Sequence, residues 1–179
     1  MMEELFPFVV DAIPGTQPFV LLAESFSTPL AVRLAATNPA SLKGLVICAG
    51  FIRNPVRGWL RHTKILHTSL FRVSPPRFVI EHFLIGAHAP RELRNEVRRA
   101  LRSVSPAVAA SRVQAVMACD VSAQLLRVRV PILYLQADND RLVGKSSFQE
   151  IQELKPDTTL VSIAAAHFVC SENHSRRLS

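Results

Sequence analysis

Short unbroken apolar runs alternate with segments of helical period along this chain. Phe19 to Ala23 is a continuous apolar run of strand length, and Leu42 to Gly50 is a second. Val130 to Gln136 and Thr158 to Ala164 repeat the pattern near the other end. Runs of this length with few polar interruptions predict strands buried on both faces, as in a parallel sheet. Between them fall helical patterns. Residues 3–13 carry Leu5, Phe6, Phe8, Val9 and Ile13, and Pro14-Gly15 ends the segment. A second helix is predicted from Pro29 to Thr37, stopped by Asn38-Pro39, and another over 145–155. Strand, helix, strand, helical segment, strand, helix, strand predicts one α/β sheet with parallel strands.

The middle of the chain has a different character. Residues 51–127 show helical periodicity, several prolines and no strand pattern. Pro90 to Val104 places Leu93, Val97 and Leu101 on one face and Arg91, Arg94, Arg98 and Arg102 elsewhere. Ser105-Pro106 reads as an N-cap followed by proline in the first turn, opening a helix to about Cys119. The expected organisation is a core made of residues 1–50 and 128–179, with 51–127 as a helical cap inserted in it.

Charge follows this division. The chain carries +7 overall, yet residues 53–129 hold 14 of its 21 Lys and Arg and only Glu81, Glu92, Glu96 and Asp120 as acids. The basic residues are spread over helices and lack interleaved aromatics. A solvated helical face fits them better than a nucleic-acid surface. At 179 residues the chain can bury a real core. No apolar run approaches the ~20 residues of a membrane span. Met1-Met2-Glu3-Glu4 does not resemble the basic start of a signal peptide. Cys48, Cys119 and Cys170 are too few and too scattered for a disulfide framework or zinc ribbon, so buried free thiols are expected. A cytoplasmic protein follows as the default. No residue cluster has metal-ligand spacing and no Gly-rich phosphate loop occurs, so no cofactor is expected.

The candidate chemistry lies at strand ends. The first run stops at Ala23-Glu24-Ser25-Phe26-Ser27, and a helical pattern begins at once. This is the layout of a nucleophile elbow, a sharp strand-to-helix turn that lifts a serine oxygen clear of the sheet. The positions two before and two after the serine must be small. Ala23 and Ser27 stand there in place of the usual glycines. The third strand leads into Ala137-Asp138-Asn139-Asp140, and the fourth into Ala164-Ala165-Ala166-His167. Parallel sheets gather functional groups at the carboxyl ends of their strands. A serine, an acid and a histidine thus follow successive strand ends in the order Ser…Asp…His. In such a triad the histidine takes the serine proton and the carboxylate orients and stabilises the imidazole. Asp138 is the rival acid.

These segments together resemble the α/β-hydrolase family. Leu133 to Val143 is similar to the family's acid loop, with Asp140 at the catalytic position and Ala137 where glycine is usual. Ala166-His167-Phe168 resembles its histidine loop, and residues 51–127 correspond to its inserted cap. The resemblance implies a reduced α/β-hydrolase: a parallel sheet of about four strands flanked by helices, with a helical cap insertion. It implies Ser25 as nucleophile, His167 as general base and acid, Asp140 as its orienter and the Phe26 N–H as an oxyanion donor. The family usually has about eight strands. Relative to it, the first four are missing, with the His-Gly loop that donates the second oxyanion N–H.

The expected function is a carboxylesterase acting on short-acyl or hydrophobic esters, weakened by the missing donor. The apolar residues of the cap argue for uncharged acyl groups. The alternative is a catalytically impaired binding module of the same fold. Phe19 to Leu22 would form an apolar edge, covered by the N-terminal helix or by a second copy. A homodimer or larger oligomer is therefore expected.

Overall fold

The structure, a computed structural model, describes residues 2–55 and 91–164. Four parallel strands form its sheet: β1 (Phe19–Glu24), β2 (Leu42–Cys48), β3 (Ile132–Ala137) and β4 (Thr159–Ile163), in that spatial order. All four are the strands that the apolar runs predict. Their ends differ by one or two residues, for local reasons. β2 stops at Cys48 because Ala49 turns to φ 43°, which takes the chain out of the extended region. β3 starts at Ile132, just after Pro131, which has no N–H to offer a ladder.

Helix α1 spans Met2–Asp11 and α2 spans Thr28–Ala35. The segment between β2 and β3 contributes α3 (Arg91–Ser103), α4 (Pro106–Met117) and α5 (Ser122–Arg127), and α6 (Lys145–Leu154) joins β3 to β4. Ser105 caps α4 as expected, its Oγ accepting the Val108 N–H at 3.3 Å. The expected cap falls partly on residues 56–90, outside the described residues. Its two roots run side by side. Arg53 and Asp120 form an isolated antiparallel bridge, and the Val121 N–H donates to the Ile52 carbonyl at 2.8 Å.

A single face of the sheet carries the core. Ala23, Ile47 and Tyr134 are in register across β1, β2 and β3. They pack with Ala31, Val32 and Ala35 of α2 and with Phe148 and Ile151 of α6. Topology explains this. Connections between parallel strands are right-handed, and here the strand order never reverses. Helices α2, α5 and α6 therefore land on the same face. The opposite face bears Leu22, Val46 and Leu133 in one row and Leu135 and Val161 in another. Val20 and Leu22 on it are 59% and 56% exposed. Parallel sheets are ordinarily covered on both sides.

Helix α2 is buried on nearly every side, with Thr28 to Val32, Leu34 and Ala35 all inaccessible. Its second cover is α1, which packs against it. Arg33 fastens the pair: it meets Glu3 Oε2 at 2.7 Å and lies 4.5 Å from the centroid of the Phe6 ring. This bond, first, and the Arg33 charge hold the Glu3 carboxyl below its usual range. The N-terminal helix thus covers α2, while β1 pairs only with β2 among the described residues. Cys48 is a buried free thiol, as expected; Cys119 is free but only half-buried, and Cys170 lies outside the described residues. No described helix is long and apolar enough to cross a membrane.

Candidate active site

The turn after β1 has the conformation that its sequence implies. Glu24 is still extended, at φ −117° and ψ 130°. Ser25 then flips to φ 51°, a left-handed conformation that costs a residue with a Cβ about 1–2 kcal/mol. A single 3₁₀ turn, Ser25–Ser27, leads directly into α2. Such strain persists where the surroundings over-determine it, and here they do. Ala23 is buried on the core face, and the Thr28 and Pro29 side chains are buried at the first turn of α2.

Ser27 does more than stay small. The Glu24 N–H donates to Ser27 Oγ at 2.9 Å, and the Ser27 hydroxyl donates back to the Glu24 carbonyl at 2.9 Å. The Glu24 side chain accepts the Ser27 N–H in turn. This reciprocal clamp closes the turn around Ser25. The sequence reading assigned Ser27 only a steric role. The spacing Glu24-x-x-Ser27 was the available signal, a reversed capping box.

Gly50 supports the elbow from the neighbouring strand end. A Cβ at this position would clash with Thr28 Oγ1 and with Ile47 Cγ2. The absence of a side chain lets the first turn of α2 close onto the exit of β2. The Gly50 carbonyl accepts the buried Tyr134 hydroxyl at 2.8 Å, tying β3 to the same exit. Burial, with the Asp140 charge second, pushes the Tyr134 hydroxyl well above its ordinary pKa.

Asp140 follows β3 at the same carboxyl edge as Ser25. β2 lies between β1 and β3, so their strand ends are about 10 Å apart, two interstrand spacings. Asp140 Oδ1 accepts the N–H groups of Leu142 at 2.8 Å and Val143 at 2.9 Å. These bonds fix the orientation of the carboxylate. Asp138, the rival acid, is exposed, and its backbone N–H is spent on the Ile163 carbonyl at 2.9 Å. His167 lies outside the described residues. β4, which precedes it, runs parallel to β3 and ends at the same edge. Phe26 follows Ser25 at the start of the turn, where backbone N–H groups lack intrahelical partners. The Arg112 guanidinium of α4 sits over the Phe26 ring, 5.9 Å from its centroid. The sequence reading did not single out Arg112.

Other charged groups have structural work. Asp120 Oδ1 accepts both the Ser122 hydroxyl at 2.6 Å and the Ser122 N–H at 3.0 Å, opening α5. These bonds, with Arg53, hold its carboxyl below the usual range. Burial first, then the Asp120 charge, pushes the Cys119 thiol up to about 12, so it is inert as a nucleophile. A basic cavity of about 740 Å³ opens at the other end of α2, among Asn38, Arg127, Arg129 and Lys155. Two of its cations serve helix ends: Lys155 Nζ donates to the Val128 carbonyl at 2.6 Å and Arg127 Nη2 to that of Ala36 at 3.5 Å. Among the described residues no His, Cys, Asp and Glu cluster could hold a metal.

A left-handed serine between β1 and the buried helix α2, with an anchored carboxylate two strands away, thus stands at the carboxyl edge of the sheet. The model of the family described as serine aminopeptidase, S33, matches residues 2–172. The chain belongs to that family and so to the α/β-hydrolases. No curated protein matches it by sequence. Solved structures share its fold. A bromoperoxidase from Bacillus anthracis superposes with a TM-score of 0.74 at 12% identity, over 98% of this chain and 69% of its own. An enol-lactonase from Burkholderia xenovorans LB400 gives 0.68 at 17% identity, over 99% and 71%. A hydrolase from Pseudomonas aeruginosa PA01 gives 0.69 at 17%, over 99% and 69%.

Proposed function

We propose that this hydrolase is a serine carboxylesterase acting on short-acyl or hydrophobic esters. Ser25 attacks the ester carbonyl, and His167 takes its proton and later returns it to the leaving alcohol. Asp140 holds the imidazole, and the Phe26 N–H faces the developing oxyanion. Water then releases the acyl group. The observation that carries this reading is the left-handed Ser25, clamped by Ser27 between β1 and α2. A surface serine has no need of that strain.

Labelling with a fluorophosphonate, followed by location of the adduct, tests the assignment. Label on Ser25 supports it. A folded protein that takes no label is a binding module instead. Asp140→Asn should lower hydrolysis of 4-nitrophenyl butyrate by about 10⁴-fold, by analogy with other triads. Asp138→Asn should change it little. The reverse order moves the acid to Asp138.

A further inference from the structure

We propose that Arg112 reads a carboxylate on the acyl group of the substrate, so that half-esters of dicarboxylic acids are the preferred class. The inference rests on the serine-esterase reading and refines its substrate. Helix α4 is Pro106-Ala107-Val108-Ala109-Ala110-Ser111-Arg112-Val113-Gln114-Ala115-Val116-Met117, with one charged residue in its twelve. That residue is placed over the ring of Phe26, the neighbour of Ser25. The helix is held by its C-terminal exit, where the Asn54 N–H donates to the Cys119 carbonyl at 3.1 Å, and by the buried Ala110 midway along it.

Arg112 makes no ion pair or hydrogen bond among the described residues, although its guanidinium has five donors. The contact of this exposed side chain with the Phe26 ring uses none of them. Glu24, the acid nearest Phe26 in the chain, already accepts the Ser27 N–H. An anionic group on the acyl chain would therefore meet a preset cation while its ester carbonyl lies at Ser25. The Ala and Val side chains around Arg112 suit the methylenes between the two. The sequence alone argued for uncharged acyl groups; the cation that α4 places over the Phe26 ring changes that expectation.

Two esters of equal chain length test this, mono-4-nitrophenyl glutarate and 4-nitrophenyl valerate. The quantity read is the ratio of their kcat/KM values. It should favour the glutarate in the native protein and fall about tenfold in Arg112→Gln, a charge-assisted hydrogen bond lost. Arg112→Lys should keep part of the preference. Salt should erode it. A structural role for Arg112 would lower both rates by the same factor and leave the ratio unchanged, overturning the proposal. A second measurement is independent of turnover. Free glutarate at 10 mM should raise the melting temperature by about 1 °C or more over chloride at equal ionic strength, and not in Arg112→Gln. An equal shift in both proteins, or none in either, refutes carboxylate recognition by Arg112. Binding without hydrolysis of either ester would instead refute the esterase reading alone.

Discussion

Replacing Ser25 by glycine should make the protein more stable than replacing it by alanine. Ser25 sits at φ 51°. Any residue with a Cβ bears about 1–2 kcal/mol there, whereas glycine bears almost none. Glycine also loses more chain entropy on folding, which offsets about 0.4–1 kcal/mol of that relief. The net advantage of Ser25→Gly over Ser25→Ala is therefore about 0.5–1 kcal/mol. Both variants remove the serine hydroxyl and whatever it bonds to, so the comparison isolates the backbone. For a domain of this size the difference is about 1–4 °C in melting temperature. Urea or thermal unfolding followed by circular dichroism reads it directly. Both variants should also lose hydrolysis of 4-nitrophenyl butyrate by at least ~10³-fold. If the alanine variant is as stable as the glycine variant, the turn is not strained and the elbow argument fails. The physical point is a trade: stability is held below its optimum where the nucleophile must stand proud of the sheet.

Tyr134→Phe leaves the Gly50 carbonyl without its 2.8 Å donor and should cost about 1–3 kcal/mol near neutral pH. Because the folded state keeps the Tyr134 proton that the unfolded chain releases above pH ~10, native stability should fall from there upward by at most about 1.4 kcal/mol per pH unit. Cys119 acts in the same sense between its ordinary value of 9.0 and about 12. The phenylalanine variant should lose the tyrosine part of that slope in urea titrations at pH 9 to 11, and an unchanged slope would contradict the buried, bonded hydroxyl. The exposed Val20 and Leu22 on the edge strand predict self-association. Light scattering should report a mass at least twice 19.8 kDa, reduced by Val20→Lys with Leu22→Lys; a monodisperse mass of 19.8 kDa for the native chain would exclude it.

Much of the sheet was legible because burial imposes its period on the residues themselves. Phe19 to Ala23 and Leu42 to Cys48 read as strands from the length of their unbroken apolar runs, although burial on both faces, which those runs also imply, fails at the exposed Val20 and Leu22 of the edge strand β1. The order of Ser25, Asp140 and the strand ends could likewise be read, since a parallel sheet sends each successive carboxyl end to one edge. Strand limits depended on single dihedrals and were less legible: Ala49 left the extended region where Gly50 had been the expected exit.

What the tertiary structure decided are the relations between distant segments. Ser27 reads as merely small until its hydroxyl is seen closing on Glu24. The packing of α2, α5 and α6 on one face follows from strand order and handedness together, and no local pattern encodes strand order. Gly50 needs its missing side chain because Thr28, in another element, comes to rest against it. Arg112 and Phe26 are far apart in the chain, and α4 brings one over the other. A residue's own period tells which side it hides. Which neighbour it hides against is fixed only when the whole chain packs.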